Sequence, residues 1–261
     1  MFSREERCIY QNNPLADVIC QLRFPEILTI ETTLPAAFQD AIRDEYPQYS
    51  LKKEVQTPKL IGTPGNMQLE QQNTTNNYQF ASADGFWRIN LTSRFISLTC
   101  SRYIRWEDFA RKLDKPLTAF IKQYQPAYFE RIGLRYLNFI SRHDLQLTDV
   151  PFSSLIQPSY LGLLADPEVP EQTTTRNSVD AELAVGSNCR VKIHAGPGMT
   201  HRNGKVDREL KFIFDQDVFT QDKIPIYHSA SIWETLHTKA YAIFRGAITD
   251  TLHDAMEPEI I

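Results

Sequence analysis

Hydrophobic and polar residues alternate in several short runs of the chain, and a period of two is typical of β-strands. The first such run is 17–24, in which the even-numbered residues are apolar and would share one buried face. Pro25 ends this strand. Thr33 is then expected to cap a helix that carries Pro35 in its first turn and stops at Tyr46.

Three further runs, 78–82, 86–91 and 95–100, predict an antiparallel meander with turns at Asp84-Gly85 and Ser93-Arg94. The Asn-rich stretch 71–77 in front of them is short and polar, and we expect a loop or edge turn there. Apolar residues at helical spacing then predict a helix over 106–123, with Glu107 and Asp108 near the positive end of the helix dipole.

A similar order of elements recurs in the second half of the chain. The pattern predicts a strand over 129–141, a short helix over 152–164, strands over 179–185, 190–195 and 210–217, and a last helix over 231–256. We therefore expect an α+β fold of two similarly ordered β-α-β-meander-α halves, with antiparallel sheets and helices packed on one face. The halves would be residues 1–126 and 127–261, as two domains or one continuous domain, and an unpaired edge strand would allow a homodimer.

Composition places the chain among globular proteins, because 42% of its residues are hydrophobic and 23% are charged. Its four cysteines are far apart and have no metal-site spacing, so we expect reduced, mostly buried thiols and neither a metal nor another cofactor. The N-terminus has no signal-peptide pattern and no run is long enough to span a membrane, which predicts a cytoplasmic protein. A net charge of -4 gives no overall positive field for polyanions.

The strand predicted over 129–141 carries the most distinctive candidate site. Alternation places Arg131, Gly133 and Arg135 on one face. The missing Cβ at Gly133 leaves room for a flat or anionic group between two guanidinium groups, which bind carboxylate or phosphate bidentately. The alternative is that both arginines pair with acids of the neighbouring strand.

Two carboxylates, Asp215 and Asp217, would lie on one face at the predicted end of a strand, as a pair of metal ligands does. The alternative is that they bond the following turn or pair with Arg131 or Arg135. The six histidines form no HxxxH or HExxH pair and no serine lies in a GxSxG motif, so no catalytic residue is assigned.

A basic stripe of Arg190, Lys192 and His194 alternates with apolar residues just before the glycine-containing segment 196–205, which we expect to be a loop. The stripe and the loop together could hold a phosphate backbone. A solvated strand face is the alternative explanation.

Five segments, taken in order, resemble a sporadically distributed family of uncharacterised bacterial and archaeal proteins of about this length, and the match spans nearly the whole chain. They are NPLADVICQLRFPEIL, LPAAFQDAIRDEYP, ERIGLRYLNFI, LKFIFDQDVF and FRGAITDTLHDAM. Patchy distribution is typical of mobile gene sets such as toxin-antitoxin and antiphage systems. The resemblance therefore implies a partner-binding or defence role, and it brings no catalytic residues.

Three hypotheses about function follow. The first is a non-enzymatic protein-binding module that engages another protein through a free sheet face or a groove between the halves. The second is a protein that binds nucleic acid or a nucleotide through Arg131, Arg135, Arg190 and Lys192. The third is a metal-dependent nuclease or phosphatase that uses Asp215 and Asp217.

Overall fold

The computed structural model of the protein describes residues 2–55, 60–63, 66–69, 74–186, 188–202 and 205–260. Within these ranges, the first half of the chain contains eight strands and three helices. The strands are β1 (Cys8–Tyr10), β2 (Leu15–Arg23), β3 (Gln48–Val55), β4 (Leu60–Thr63), β5 (Asn66–Leu69), β6 (Thr74–Ala81), β7 (Trp87–Leu91) and β8 (Phe95–Cys100). The helices are α1 (Leu28–Thr32), α2 (Ala36–Ile42) and α3 (Trp106–Tyr124).

The described part of the second half adds the remaining strands, two α-helices and five short 3-10 turns. The strands are β9 (Phe129–Ile140), β10 (Val179–Ala184), β11 (Cys189–Gly198), β12 (His201–Arg202), β13 (Lys205–Val206), β14 (Lys211–Ile224) and β15 (Pro258–Ile260). The helices are α4 (Ser229–Ala247) and α5 (Asp250–Ala255).

One antiparallel sheet of nine strands joins the two halves, in the order β10-β11-β14-β9-β2-β8-β7-β6-β3. The order is mirrored about its centre, since β2 is followed outward by β8, β7 and β6, and β9 by β14, β11 and β10. Each half thus places the last strand of its meander beside its own first strand. The predicted α+β fold with similarly ordered halves is confirmed, and both halves belong to one continuous sheet.

The helices and the 3-10 turns pack on one face of this sheet. That inner face is apolar because alternate residues of each strand point towards it, as Val18, Cys20 and Leu22 do in β2. The aromatic rings of Phe24 and Phe120, with centroids 4.7 Å apart, join β2 to α3. The other face is covered by no helix within the described part of the chain, and it carries the candidate site.

Several predicted boundaries are wrong for local reasons. Thr33 does not cap α2; it ends α1, where its backbone N–H donates to the carbonyl of Thr29. The predicted helix over 152–164 is three 3-10 turns. Residues 74–77 of the Asn-rich stretch belong to β6, whereas 71–73 lie outside the described residues.

The predicted last helix over 231–256 is also wrong, because it is broken at Ile248 and Thr249. The Ala247 carbonyl accepts a hydrogen bond from the backbone N–H of Gln157 instead of continuing the helix. The Thr249 hydroxyl then accepts from the backbone N–H of Leu252 and caps α5.

All four cysteines are free and buried, as predicted. None of the helices in the described ranges is both long and apolar enough to cross a bilayer. The predicted loop over 196–205 is wrong in part, because Gly196 to Gly198 continue β11 and a small hairpin of β12 and β13 follows. Asn203 and Gly204 lie outside the described residues.

Candidate functional site

The uncovered face of β9, β14, β11 and β10 brings the sequence-predicted site residues together. Arg131, Gly133 and Arg135 lie on β9, and β14 runs between that strand and β11, which carries Arg190 and Lys192. Strands β9 and β11 are therefore not direct neighbours. We call nine ionisable side chains of this surface the charged face: Arg131, Arg135, Asp180, Glu182, Arg190, Lys192, His194, Asp215 and Asp217.

The two aspartates lie in the middle of the charged face and not at a strand end. The prediction of a strand end is wrong because β14 continues to Ile224, seven residues beyond Asp217. In the sheet register, Asp217 is opposite Arg135 and Asp215 is opposite Leu137. The arginines on β9 therefore reach both carboxylates on the adjacent strand.

The guanidinium group of Arg131 lies over Gly133 on the same strand. Its Nη2 donates to Oδ2 of Asp217 at 2.7 Å, and its guanidinium carbon lies 4.4 Å from the centroid of the Phe219 ring. Gly133 allows this position, because a Cβ there would come within 2.2 Å of Arg131 Nη1. The space left by the missing Cβ is therefore filled by the arginine itself.

Arg135 binds Asp215 bidentately, with Nε to Oδ1 at 2.7 Å and Nη2 to Oδ2 at 2.5 Å. Hydrogen bonding to this carboxylate raises the pKa of Arg135 above its ordinary value. Burial raises the pKa of nearby Asp17, although Arg88 and Arg135 act in the opposite direction. The predicted alternative, in which both arginines pair with acids of the neighbouring strand, is the arrangement observed.

The basic stripe on β11 is matched by acids on the edge strand β10. Glu182 lies 2.9 Å from Arg190 and 3.6 Å from Lys192. The Nδ1 atom of His194 is 2.7 Å from an Asp180 carboxylate oxygen, and this hydrogen bond lowers the pKa of Asp180. All five side chains remain more than 40% exposed, which agrees with the predicted solvated strand face.

Arg135, Lys192 and four carboxylates border a groove of about 470 Å³ on this face. The charged face contains four arginine or lysine side chains and four aspartates or glutamates, so its formal charge is zero when His194 is neutral.

No protein-family model and no curated protein matches this chain. Within the described ranges, no three histidine, cysteine or acidic side chains are placed to hold a metal ion.

A row of short polar side chains continues the uncovered face into the first half. Gln79 Nε2 donates to Asn90 Oδ1 at 2.8 Å, and Asn90 Nδ2 donates to Ser97 Oγ at 3.3 Å. These residues stand opposite one another on β6, β7 and β8. Ser97 is buried, at 4% exposure, whereas the amides of Gln79 and Asn90 are partly exposed, so the face is ionic in one half and carries amides in the other.

A second polar cluster, which the sequence did not predict, lies beneath the sheet between α3 and α4. Arg7 Nη1 donates to His237 Nε2 at 2.8 Å, and His237 Nδ1 lies 2.8 Å from the Tyr136 hydroxyl. The Trp106 ring stacks on His237 with centroids 4.5 Å apart. These four residues are far apart in the chain, and no sequence pattern placed them together.

Gly133→Ala is expected to lower the free energy of unfolding by about 1–2 kcal/mol, because the new methyl group displaces Arg131 from Asp217 and Phe219. In an Arg131→Ala background the same change should cost less, since the clash is gone and alanine suits a strand interior better than glycine. Urea unfolding of the wild type, the two single variants and the double variant measures this coupling, expected at about 1 kcal/mol. Additive effects would show that Arg131 does not occupy this space.

Proposed function

We propose that the protein is a non-enzymatic binding module that engages another protein through the charged face. In line with the family resemblance, we propose that it belongs to a toxin-antitoxin or antiphage defence system. The observation that carries the first proposal is the neutral, alternating charge pattern of an uncovered sheet face.

The pattern favours a protein partner over a nucleic acid. Binding to a phosphate backbone depends on cations that displace condensed counterions. Arg131, Arg135, Arg190 and Lys192 each lie within 4 Å of a carboxylate, so a polyanion would have to compete with these ion pairs. A protein surface of mixed charge can instead place its own acids and bases against the pattern, which gives specificity and register.

The neighbouring amides of Gln79 and Asn90 support the same proposal. An amide side chain both donates and accepts hydrogen bonds, as polypeptide backbones and polar side chains require. A non-obligate interface, whose partners also fold alone, is on average no more apolar than the rest of a protein surface.

The test is a charge swap that keeps the ion pair within the protein. Arg135→Asp combined with Asp215→Arg retains one cation and one carboxylate but reverses their positions. The matched control is Asp40→Arg with Arg43→Asp, which swaps an exposed ion pair of 3.2 Å on α2. Tagged wild-type protein, swap and control would be used to capture partners from the native host and then to titrate the purified partner.

We expect one stoichiometric partner protein with the wild type and the control, and at least a tenfold weaker affinity for the swap. Equal affinity of all three would contradict the proposed face. Recovery of nucleic acid with a steep salt dependence would support the second hypothesis instead.

A further inference from the structure

A cavity of about 80 Å³ lies on the helix side of the sheet, between α4, the start of α3 and the N-terminal segment. Its floor is formed by the amide side chains of Asn138 and Gln216, on neighbouring strands β9 and β14. Most of its wall is apolar or aromatic; the wall residues include Leu15, Tyr103, Ala240 and Phe244. Such a combination of an apolar wall and few polar groups is typical of small-molecule sites.

The floor contains a buried acceptor without a donor. Gln216 is 2% exposed; its Nε2 donates to the carbonyl of Ala240 at 3.1 Å, but its Oε1 has no hydrogen-bond partner among the described residues. A buried polar atom without a partner is rare in folded proteins and costs free energy. A ligand with an N–H or O–H group at its inner end would relieve this penalty after a small rotation of the amide.

Two arginines, Arg7 and Arg105, lie at the rim of the cavity. Arg7 and Arg105 both donate to the Glu107 carboxylate and lower its pKa to about 2 although burial opposes the shift. Two guanidinium groups thus share one carboxylate, and each arginine side chain is about one third exposed or more. An anionic group at the rim would be attracted to this pair.

We propose that this cavity binds a small aromatic acid whose ring carries a hydrogen-bond donor. The donor enters first and bonds Gln216 Oε1, the ring contacts the aromatic wall, and the carboxylate stays at the rim beside Arg7 and Arg105. A cavity of roughly 150 Å³ takes up benzene. This cavity has about half that volume, so only the donor and the adjoining edge of the ring enter it, and the rest of the ring and the carboxylate lie at its open mouth, beside the exposed side chain of Ile104.

The test uses 4-hydroxybenzoate as the probe and 4-methoxybenzoate as its match without a donor. In a ¹H–¹⁵N titration of the full chain, 4-hydroxybenzoate should shift the indole N–H signal of Trp106, which lines the cavity, more than those of Trp87 and Trp233. Its Kd should be at least tenfold lower than that of 4-methoxybenzoate. No shift up to the solubility limit, or equal affinity of the two acids, would overturn the proposal.

Gln216→Met removes the acceptor at similar side-chain volume and should weaken 4-hydroxybenzoate at least tenfold. Gln79→Met, on the opposite face of the sheet, should leave its affinity unchanged. If Gln216→Met does not fold, the two acids still decide the question on the wild-type protein. The Arg135→Asp, Asp215→Arg swap should keep this ligand, so the result is independent of the proposed partner face.

Discussion

Leu134→Ala lowers the free energy of unfolding by about 3 kcal/mol, the largest effect we expect from a single substitution in this sheet. Leu134 is 1% exposed and lies in the middle of β9. It is opposite Cys20 of β2 on one side and Val218 of β14 on the other. Truncation therefore leaves a cavity at the strand that joins the two halves, where neighbouring strands cannot close in without breaking their registers.

Urea unfolding measures the loss, and Leu163→Ala is the control. Leu163 is 72% exposed, so its truncation should change the free energy by no more than about 0.5 kcal/mol. A loss below about 1 kcal/mol for Leu134→Ala would contradict the packing described for β9.

The same variant tests whether the halves unfold together. Because the β2–β9 pair is continuous, amides of β7 in the first half and of β11 in the second should lose protection from hydrogen exchange at the same urea concentration. Separate transitions would show that residues 1–126 and 127–261 are independently stable.

Acidification from pH 7 to pH 5 destabilises the protein by about 2 kcal/mol through His237 alone. Burial, and secondly the charge of Arg7, lower the pKa of His237 from 6.5 to about 3, while Glu107 acts in the opposite direction. The neutral ring accepts from Arg7 at Nε2 and carries its proton on Nδ1, towards Tyr136. A second proton, on Nε2, would point at the Arg7 guanidinium group. The charged ring would also remain stacked on Trp106.

The sign follows from proton binding. Between pH 6.5 and 3 the unfolded chain binds a proton that the folded protein excludes, so this contribution to stability is complete above pH 6.5 and is lost as the pH falls. Carboxylates titrate in the same range, and a variant is needed to separate them from His237.

His237→Gln is expected to reduce the loss of stability between pH 7 and pH 5 by about 2 kcal/mol, since glutamine can accept from Arg7 but does not titrate. His143→Gln, at a side chain that is 82% exposed, should leave the loss as in the wild type. Chemical unfolding at both pH values gives the comparison. An unchanged pH dependence in His237→Gln would show that the ring is not held neutral by its surroundings.

Strong alternation or helical spacing made several elements predictable from the chain itself. The strand over 17–24 and the one over 129–141 appear as β2 and β9, and the helix over 106–123 as α3. These segments bury one face each, and burial of one face imposes a period of two in a strand and 3.6 in a helix. The same alternation predicted that Arg131 and Arg135 share one face of their strand and that Asp215 and Asp217 share one face of theirs.

Local breaks were less predictable because distant residues cause them. The end of α4 at Ala247 depends on a hydrogen bond from Gln157, ninety residues earlier in the chain. A continuous apolar stripe through Ile248 and Leu252 favours one long helix, and it contains no sign of that partner.

Which residues of each element face the core and which face outward can be read from the chain alone, because that pattern follows from the local geometry of strands and helices. Which strands are neighbours depends on the tertiary structure. That order of strands pairs Arg131 with Asp217 and Arg135 with Asp215. The tertiary structure also brought Arg7 to His237 across 230 positions of the chain and left Gln216 Oε1 without a donor. These contacts depend on the packing of the whole sheet, which no local period encodes.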